Sequence, residues 1–462
     1  MVAKQHLFVA SKKADNKPTS PEVEDEDQQV TQASAPGPGL LSTSEPDPDA
    51  AITRGEDVEK QVTQASAPGP GLLSTSEPDP DAAITRGDDV EKVQDSSLSG
   101  EPVEHGPSHT DTPTSSAQAS PQTDGALRIH TVLQCSCEIM TCQFSTDGAL
   151  LAVGHTDGSI KVFSTNKWRL LHTLTDRDSI TNPLPITSLR FTHTMEKHSV
   201  LLATYSSGSL KCWYVSGWQR LWWVNENIEK EKVVKVNKEE SGEVVERQTL
   251  CLSLSPSGEN AVTGGSDSAI HLYDLTTLQT TQICTASQLR TVMDGHCSRI
   301  FAVMFHPKKE EEFISGGWDN TVQFWDTRQP NAVRMLYGPH VCGEALHIDP
   351  VTNQILSGSW RKDDHLEVWD YSSGKKVTSV PPDPQGDSLI YACQWLGRDH
   401  IIAGGCQSNA VRIIDRHSLQ VTSRLFDLPS PVFSVAICPS EERPKLVAAS
   451  CGDQVFILVI DQ

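Results

Sequence analysis

The feature that most constrains this chain is a short apolar strand that returns seven times: IKVFS (160–164), LKCWY (210–214), IHLYD (270–274), VQFWD (322–326), LEVWD (366–370), VRIID (411–415) and VFILVID (455–461). The copies start 44 to 60 residues apart. Each carries the β-branched, aromatic and alternating texture of a strand. Around the clearest copy, FISGGWDNTVQFWDTRQP (313–330), the parsing extends further. Phe313-Ile314-Ser315 reads as a strand, Gly316 to Asn320 as a tight turn, and Val322 to Trp325 as the next strand. Ile300 to Phe305 supplies a strand before them, ended by His306-Pro307, and Ala332 to Leu336 one after. Four strands per period predict a series of small sheets, each burying its faces only against its neighbours.

A unit of roughly 40–45 residues with four strands, the third often ending in Trp-Asp, resembles the WD repeat. The stretch 126–462 therefore resembles a WD-repeat β-propeller. The resemblance implies an all-β, seven-bladed fold. The segment 127–133, LRIHTVL, precedes the first blade without a blade of its own, while the seventh copy has no fourth strand after it. Pairing that segment onto blade 7 would close the ring and remove two exposed sheet edges. Three departures stand out: a charged stretch from Asn225 to Glu246 that reads as a protruding loop, a longer turn at 359–365 in blade 5, and Cys406-Gln407-Ser408-Asn409 in place of the turn Asp in blade 6.

Residues 1–125 have a different character. Leu, Ile, Val and Phe together make up 18 of them, too few to bury a core, and fourteen prolines run from Pro18 to Pro121. Residues 29–60 recur at 61–92 with the single change of Glu56 to Asp88. The expectation is a disordered acidic tail holding a tandem duplication. It carries 8 Lys/Arg against 23 Asp/Glu, and the remainder 30 against 37. An acidic surface disfavours nucleic acid and anionic membranes as partners. The start, MVAKQHLFVASKK, lacks the pattern of a secretory signal, and no apolar run has the length to span a bilayer. Twelve cysteines lie between Cys135 and Cys451, mostly singly in apolar runs, the pattern of reduced core thiols, which points to the cytoplasm or nucleus.

His296, Ser315 and Asp319 have the residue types of a hydrolase triad. The family resemblance implies a structural role instead: with Trp325 they form a buried hydrogen-bonded tetrad. A serine bonded to an indole is not a free nucleophile, and the chain offers no phosphate loop, HExxH or other metal spacing. No enzyme activity, cofactor or metal is expected. A hydrolase using His296 and Ser315 stays as a remote alternative. The residue after the leading position of each first strand is expected to face the turn-bearing side, which places Phe301, Glu344, Tyr391 and Phe433 there. Turn residues Trp318, Trp360 and Arg361 join them as a candidate peptide-binding face. Trp325-Asp326-Thr327-Arg328 resembles the box by which WD-repeat substrate receptors dock on the adaptor of a cullin–RING ubiquitin ligase, which makes Asp326 and Arg328 candidate docking residues. The principal expectation is a non-catalytic scaffold that binds proteins or peptides within a multiprotein complex.

Overall fold

The computed structural model describes residues 120–192, 200–227, 246–289, 291–439 and 445–461. The duplicated segments 29–60 and 61–92, and the insertion 228–245, lie outside the described residues.

The described residues fold into six four-stranded antiparallel sheets and one of five strands. Their first strands, Ile139–Phe144, Ile186–Phe191, Thr249–Leu254, Ile300–Phe305, Leu346–Ile348, Ser388–Leu396 and Val432–Ile437, touch one another in that order, and the last returns to the first. The result is a closed seven-bladed propeller with these strands around its axis. Burial grades outward along each blade. First strands are buried almost throughout: in Ile300–Phe305 only Met304 is half-buried. The fourth strand of blade 2, Gln219–Asn225, alternates exposed and half-buried residues. Inner strands are therefore apolar nearly without interruption, while outer strands show the half-buried alternation of a sheet wet on one side.

The ring closes through the strand that precedes blade 1 in the chain. Leu127–Gln134 pairs antiparallel with Gln454–Ile460 as the outer strand of blade 7. Upstream of it, Gln122–Asp124 pairs with Val421–Phe426 as a fifth strand of blade 6. The tail boundary at residue 125 is thereby corrected: ordered pairing begins before it. This strand is polar and has no apolar rhythm. It is held by backbone bonds and by Arg424 donating to Asp124 at 2.9 Å, so composition gave no sign of it.

In blade 4, Gly317 allows the close turn after the second strand, since a Cβ there would stand 2.2 Å from the Arg299 carbonyl oxygen. Asn320 completes the turn at φ 62°, a left-handed conformation that asparagine tolerates. In most blades the first strand also carries a β-bulge at one register position, between Ile300 and Ala302 in blade 4 and between Ile390 and Ala392 in blade 6. The bulged residue is the one expected to face the turn-bearing side, and a bulge re-aims its side chain.

Candidate functional site

Blade 4 brings His296, Ser315, Asp319 and Trp325 together. The Trp325 indole N–H donates to Ser315 Oγ at 2.7 Å, and Ser315 Oγ lies 2.7 Å from His296 Nε2. His296 Nδ1 lies 2.8 Å from Asp319 Oδ2. The carboxylate fixes the proton on Nδ1, so Nε2 accepts from the serine hydroxyl. Asp319 also takes the Cys297 N–H at 3.1 Å and the Thr321 hydroxyl at 2.8 Å. Burial pushes the Asp319 carboxyl up, but the bonds from His296, Thr321 and Cys297 outweigh it and hold the group below its usual range. Ser315 is 0% and His296 2% exposed, so the oxygen that resembles a nucleophile meets no solvent.

Blade 3 builds its lock differently. Thr263, Asp267 and Tyr273 stand where blade 4 has Ser315, Asp319 and Trp325, and Arg247 takes the place of the histidine. Its guanidinium is fully buried against Glu226, also fully buried, with Nε donating to Oε2 at 2.5 Å, and it pairs with Asp267 as well. Glu226 further accepts from the hydroxyls of Tyr273 at 2.6 Å and Thr263 at 2.5 Å, and from that of Thr249. Alongside, the Arg247 N–H donates to Asn227 Oδ1 at 2.6 Å and Asn227 Nδ2 donates back to the Arg247 carbonyl at 3.1 Å. The chain is thus pinned on both sides of the insertion. Sequence reading missed this network because its two charges are 21 residues apart across that insertion.

The expected contact face needs correction. Phe301, Tyr391 and Phe433 are 6%, 1% and 2% exposed. The bulges turn these side chains inward, where they fill the mouth of the ring rather than offering surface. Tyr391 packs on Phe433 with ring centres 5.1 Å apart, and Phe301 lies 5.3 Å below Trp318. Glu344 is committed as well: across the axis, three blades away, it accepts from Arg190 at 3.1 Å and from the Ser188 hydroxyl. A carboxylate so occupied is not poised for a ligand's cation.

What remains at the surface is a half-buried patch formed by Trp318, His340, Trp360 and Arg361 above that aromatic floor. Trp318 stacks on His340 at 6.2 Å and lies under the Arg299 guanidinium at 5.6 Å. His340 Nδ1 donates to Asn320 Oδ1 at 2.8 Å. Burial, then the charge of Arg361, push its pKa below the usual value, so the ring is neutral near neutral pH. The patch presents flat apolar rings rimmed by guanidinium groups, which suits stacking and charge-assisted contact with a polypeptide segment. At the far end of the third strand, Arg328 is 72% exposed and folds back on Asp326, with Nε to Oδ1 at 2.7 Å and Nη2 to Oδ2 at 2.5 Å.

On the first strand of blade 5, His347 links stability to pH. His347 accepts the Trp395 N–H on Nδ1 at 3.1 Å, and burial, followed by the charge of Arg190, lowers its pKa from 6.5 to about 4. A base with a depressed folded pKa stays neutral while the unfolded chain takes a proton. Its contribution therefore declines as pH falls from 6.5 and levels off below 4. Chemical denaturation of His347→Gln between pH 7 and 4 should show a shallower decline than the parent chain; parallel curves would contradict the assignment.

Among the described residues no cluster of His, Cys, Asp and Glu has metal-binding geometry, and no helix is long and apolar enough to cross a membrane. All twelve cysteines are free thiols.

Comparison with known proteins places the chain in context. The family model of the WD domain, G-beta repeat, matches residues 127–164, 241–274 and 287–326. Pre-mRNA-processing factor 19 of Mus musculus is 25% identical over 40% of this chain and 35% of its own. The THO complex subunit 6 homolog of Danio rerio is 28% identical over 43% and 56%. Cilia- and flagella-associated protein 52 of Mus musculus is 23% identical over 54% and 35%. The matches thus span about a third to just over half of each relative's length. Among solved structures, a chain from the crystal structure of the mitotic checkpoint complex superposes with a TM-score of 0.57 at 17% identity, covering 76% of this chain and 97% of that one.

Proposed function

Since this chain is a WD-repeat β-propeller protein, we propose that it is a non-catalytic scaffold that holds a protein or peptide segment on the turn-bearing face of blades 4 and 5 within a multiprotein complex. The observation that carries the reading is the half-buried patch of Trp318, His340 and Trp360, seated on buried Phe301, Tyr391 and Phe433. Aromatic anchors on a rigid floor lose little entropy when covered, and such residues dominate interface energetics. One relative supports the complex-bound role by name, the THO complex subunit 6 homolog. The serine of the tetrad is sealed and bonded on both sides, which argues against turnover there. Arg328 spends its fork on Asp326 within its own turn, and that pair gives no support to docking on a ubiquitin-ligase adaptor.

The test is proximity labelling in cells with the full chain and a Trp318→Ala/Trp360→Ala variant, matched for expression and melting temperature. The variant should lose a defined set of neighbours while keeping the rest. An unaltered neighbour list in a folded variant would remove this face from consideration.

A further inference from the structure

Five serines or threonines in the chain precede a proline: Ser20, Thr112, Ser120, Ser255 and Ser430. The first two lie outside the described residues. Of the others, Ser255 is 2% exposed, and Ser430 is half-buried with its carbonyl accepting from the Cys451 thiol at 3.1 Å. Ser120 is exposed and stands two residues before the fifth strand of blade 6, Gln122–Asp124. Its hydroxyl accepts from Gln122 Nε2 at 3.0 Å, and its carbonyl accepts from the same nitrogen at 3.2 Å.

This strand is lightly held. It pairs over three residues, Gln122 with Phe426, Thr123 with Leu425 and Asp124 with Arg424. Arg424 donates to Asp124 Oδ2 at 2.9 Å, while Asp124 Oδ1 is buried without a hydrogen-bond partner among the described residues. The same guanidinium gives two further bonds of 2.9 Å to Asp383. Gly125 then carries the chain across to blade 7 at φ 66°, where a Cβ would stand 2.2 Å from the Thr422 carbonyl oxygen. Beyond it, Leu127–Gln134 is tied separately to Gln454–Ile460. Gln122–Asp124 can therefore leave blade 6 while the ring stays closed, and so short an element sits at the low end of local stability.

The charges around the strand set what a phosphate would do there. Asp124 lies on Arg424, Asp387 accepts the Asp383 N–H, and Asp427 follows the residue that faces Gln122. Against these four carboxylates stand the guanidiniums of Arg424 and Arg412, both already engaged with Asp383. A phosphoserine brings a charge of about −1.5 to −2, and beside acidic groups it acts by repulsion.

We propose that Ser120 is a phosphorylation site for a proline-directed protein kinase, and that its phosphate frees Gln122–Asp124 from the outer edge of blade 6. The γ-phosphorus of ATP bonds to Ser120 Oγ as its bond to the β,γ-bridging oxygen breaks, leaving ADP and the hydroxyl proton. The kinase engages an extended segment that runs past the proline, so it takes the chain while the strand is unpaired. The added charge then opposes the strand's return. In the freed state the backbone of Val421–Phe426 becomes an open sheet edge.

The test uses the full chain carrying Ser20→Ala and Thr112→Ala, incubated with ATP and a cyclin-dependent kinase, with sites mapped by mass spectrometry. Ser120 should be modified, and Ser255 and Ser430 should not. Amide hydrogen exchange at 122–126 should then quicken about tenfold, while that at 127–134 keeps its rate. High salt, or the surface change Asp427→Asn, should shrink the acceleration, and adding Ser120→Ala should abolish it. An unmodified Ser120, or a phosphorylated chain that exchanges at the parent rate, overturns the proposal. So does slower exchange at 122–126, which would mean that Arg424 captures the phosphate and clamps the strand. Acceleration running on through 127–134 equally refutes it, since the ring rather than the strand would have opened.

Discussion

Replacing Glu226 by alanine is expected to cost roughly 3–5 kcal/mol of stability, the size of effect seen when one member of a buried ion pair is removed. The substitution leaves the fully buried Arg247 guanidinium with Asp267 as its one remaining carboxylate and takes the acceptor from Tyr273, Thr263 and Thr249. Equilibrium urea denaturation measures it directly, and a loss below about 1 kcal/mol would refute the assigned role. A Glu226→Leu/Arg247→Met double variant should recover part of the loss, because apolar replacements of similar volume spare the desolvation of both charges. Acid gives an independent check. Burial pushes the Glu226 carboxyl up, but the charges of Arg247 and His271 and the bonds from Thr249 and Thr263 prevail and bring it from 4.5 down to about 2. A depressed folded pKa means stability that is fully present above about pH 4.5 and lost as pH falls toward 2. The alanine variant should lack that part of the acid sensitivity.

Replacing Ser315 by alanine should remove about 2–5 kcal/mol, because one oxygen serves two buried groups. Without it, Trp325 Nε1 and His296 Nε2 each lose a partner 2.7 Å away, and no water reaches a site that is 0% exposed. Thermal or urea unfolding of blade 4's lock gives the magnitude. Labelling with a serine-directed fluorophosphonate gives the discrimination. The parent chain should stay unlabelled at Ser315. A Ser315-dependent adduct, together with undiminished stability of Ser315→Ala, would instead revive a hydrolase.

How far the residues announced this architecture depends on whether an interaction is local. The seven third strands were legible because each carries its own alternation within a few residues; the blade 4 tetrad came from the resemblance to WD repeats, its residue types alone pointing to a triad. The position after the leading residue of each first strand was picked out, but that it forms a bulge in most blades was not. Where its side chain goes was not: Phe301, Tyr391 and Phe433 turn inward because seven first strands converge on one axis, a property of the closed ring rather than of any blade. Glu344 meets Ser188 across 156 residues for the same reason. The Glu226–Arg247 lock hid behind an insertion, and Gln122–Asp124 behind a polar sequence that pairs by backbone alone.

The seam between Leu127–Gln134 and Gln454–Ile460 has a consequence for how the molecule is made. The first of these strands leaves the ribosome 327 residues (454 − 127) ahead of its partner. At a synthesis rate of about 5–20 residues per second, that is a wait of roughly 15 to 65 s. During this interval the inward side chains of Leu127 and Leu133, which end 1% and 6% exposed, have no sheet to cover them. Blades 1 to 6 can assemble in order as they emerge, but blade 7 is completed only by the oldest part of the fold meeting the youngest. The nascent chain is thus an open arc with an unpaired apolar strand at its leading end, and its exposure to chaperones and to mispairing is set by translation speed.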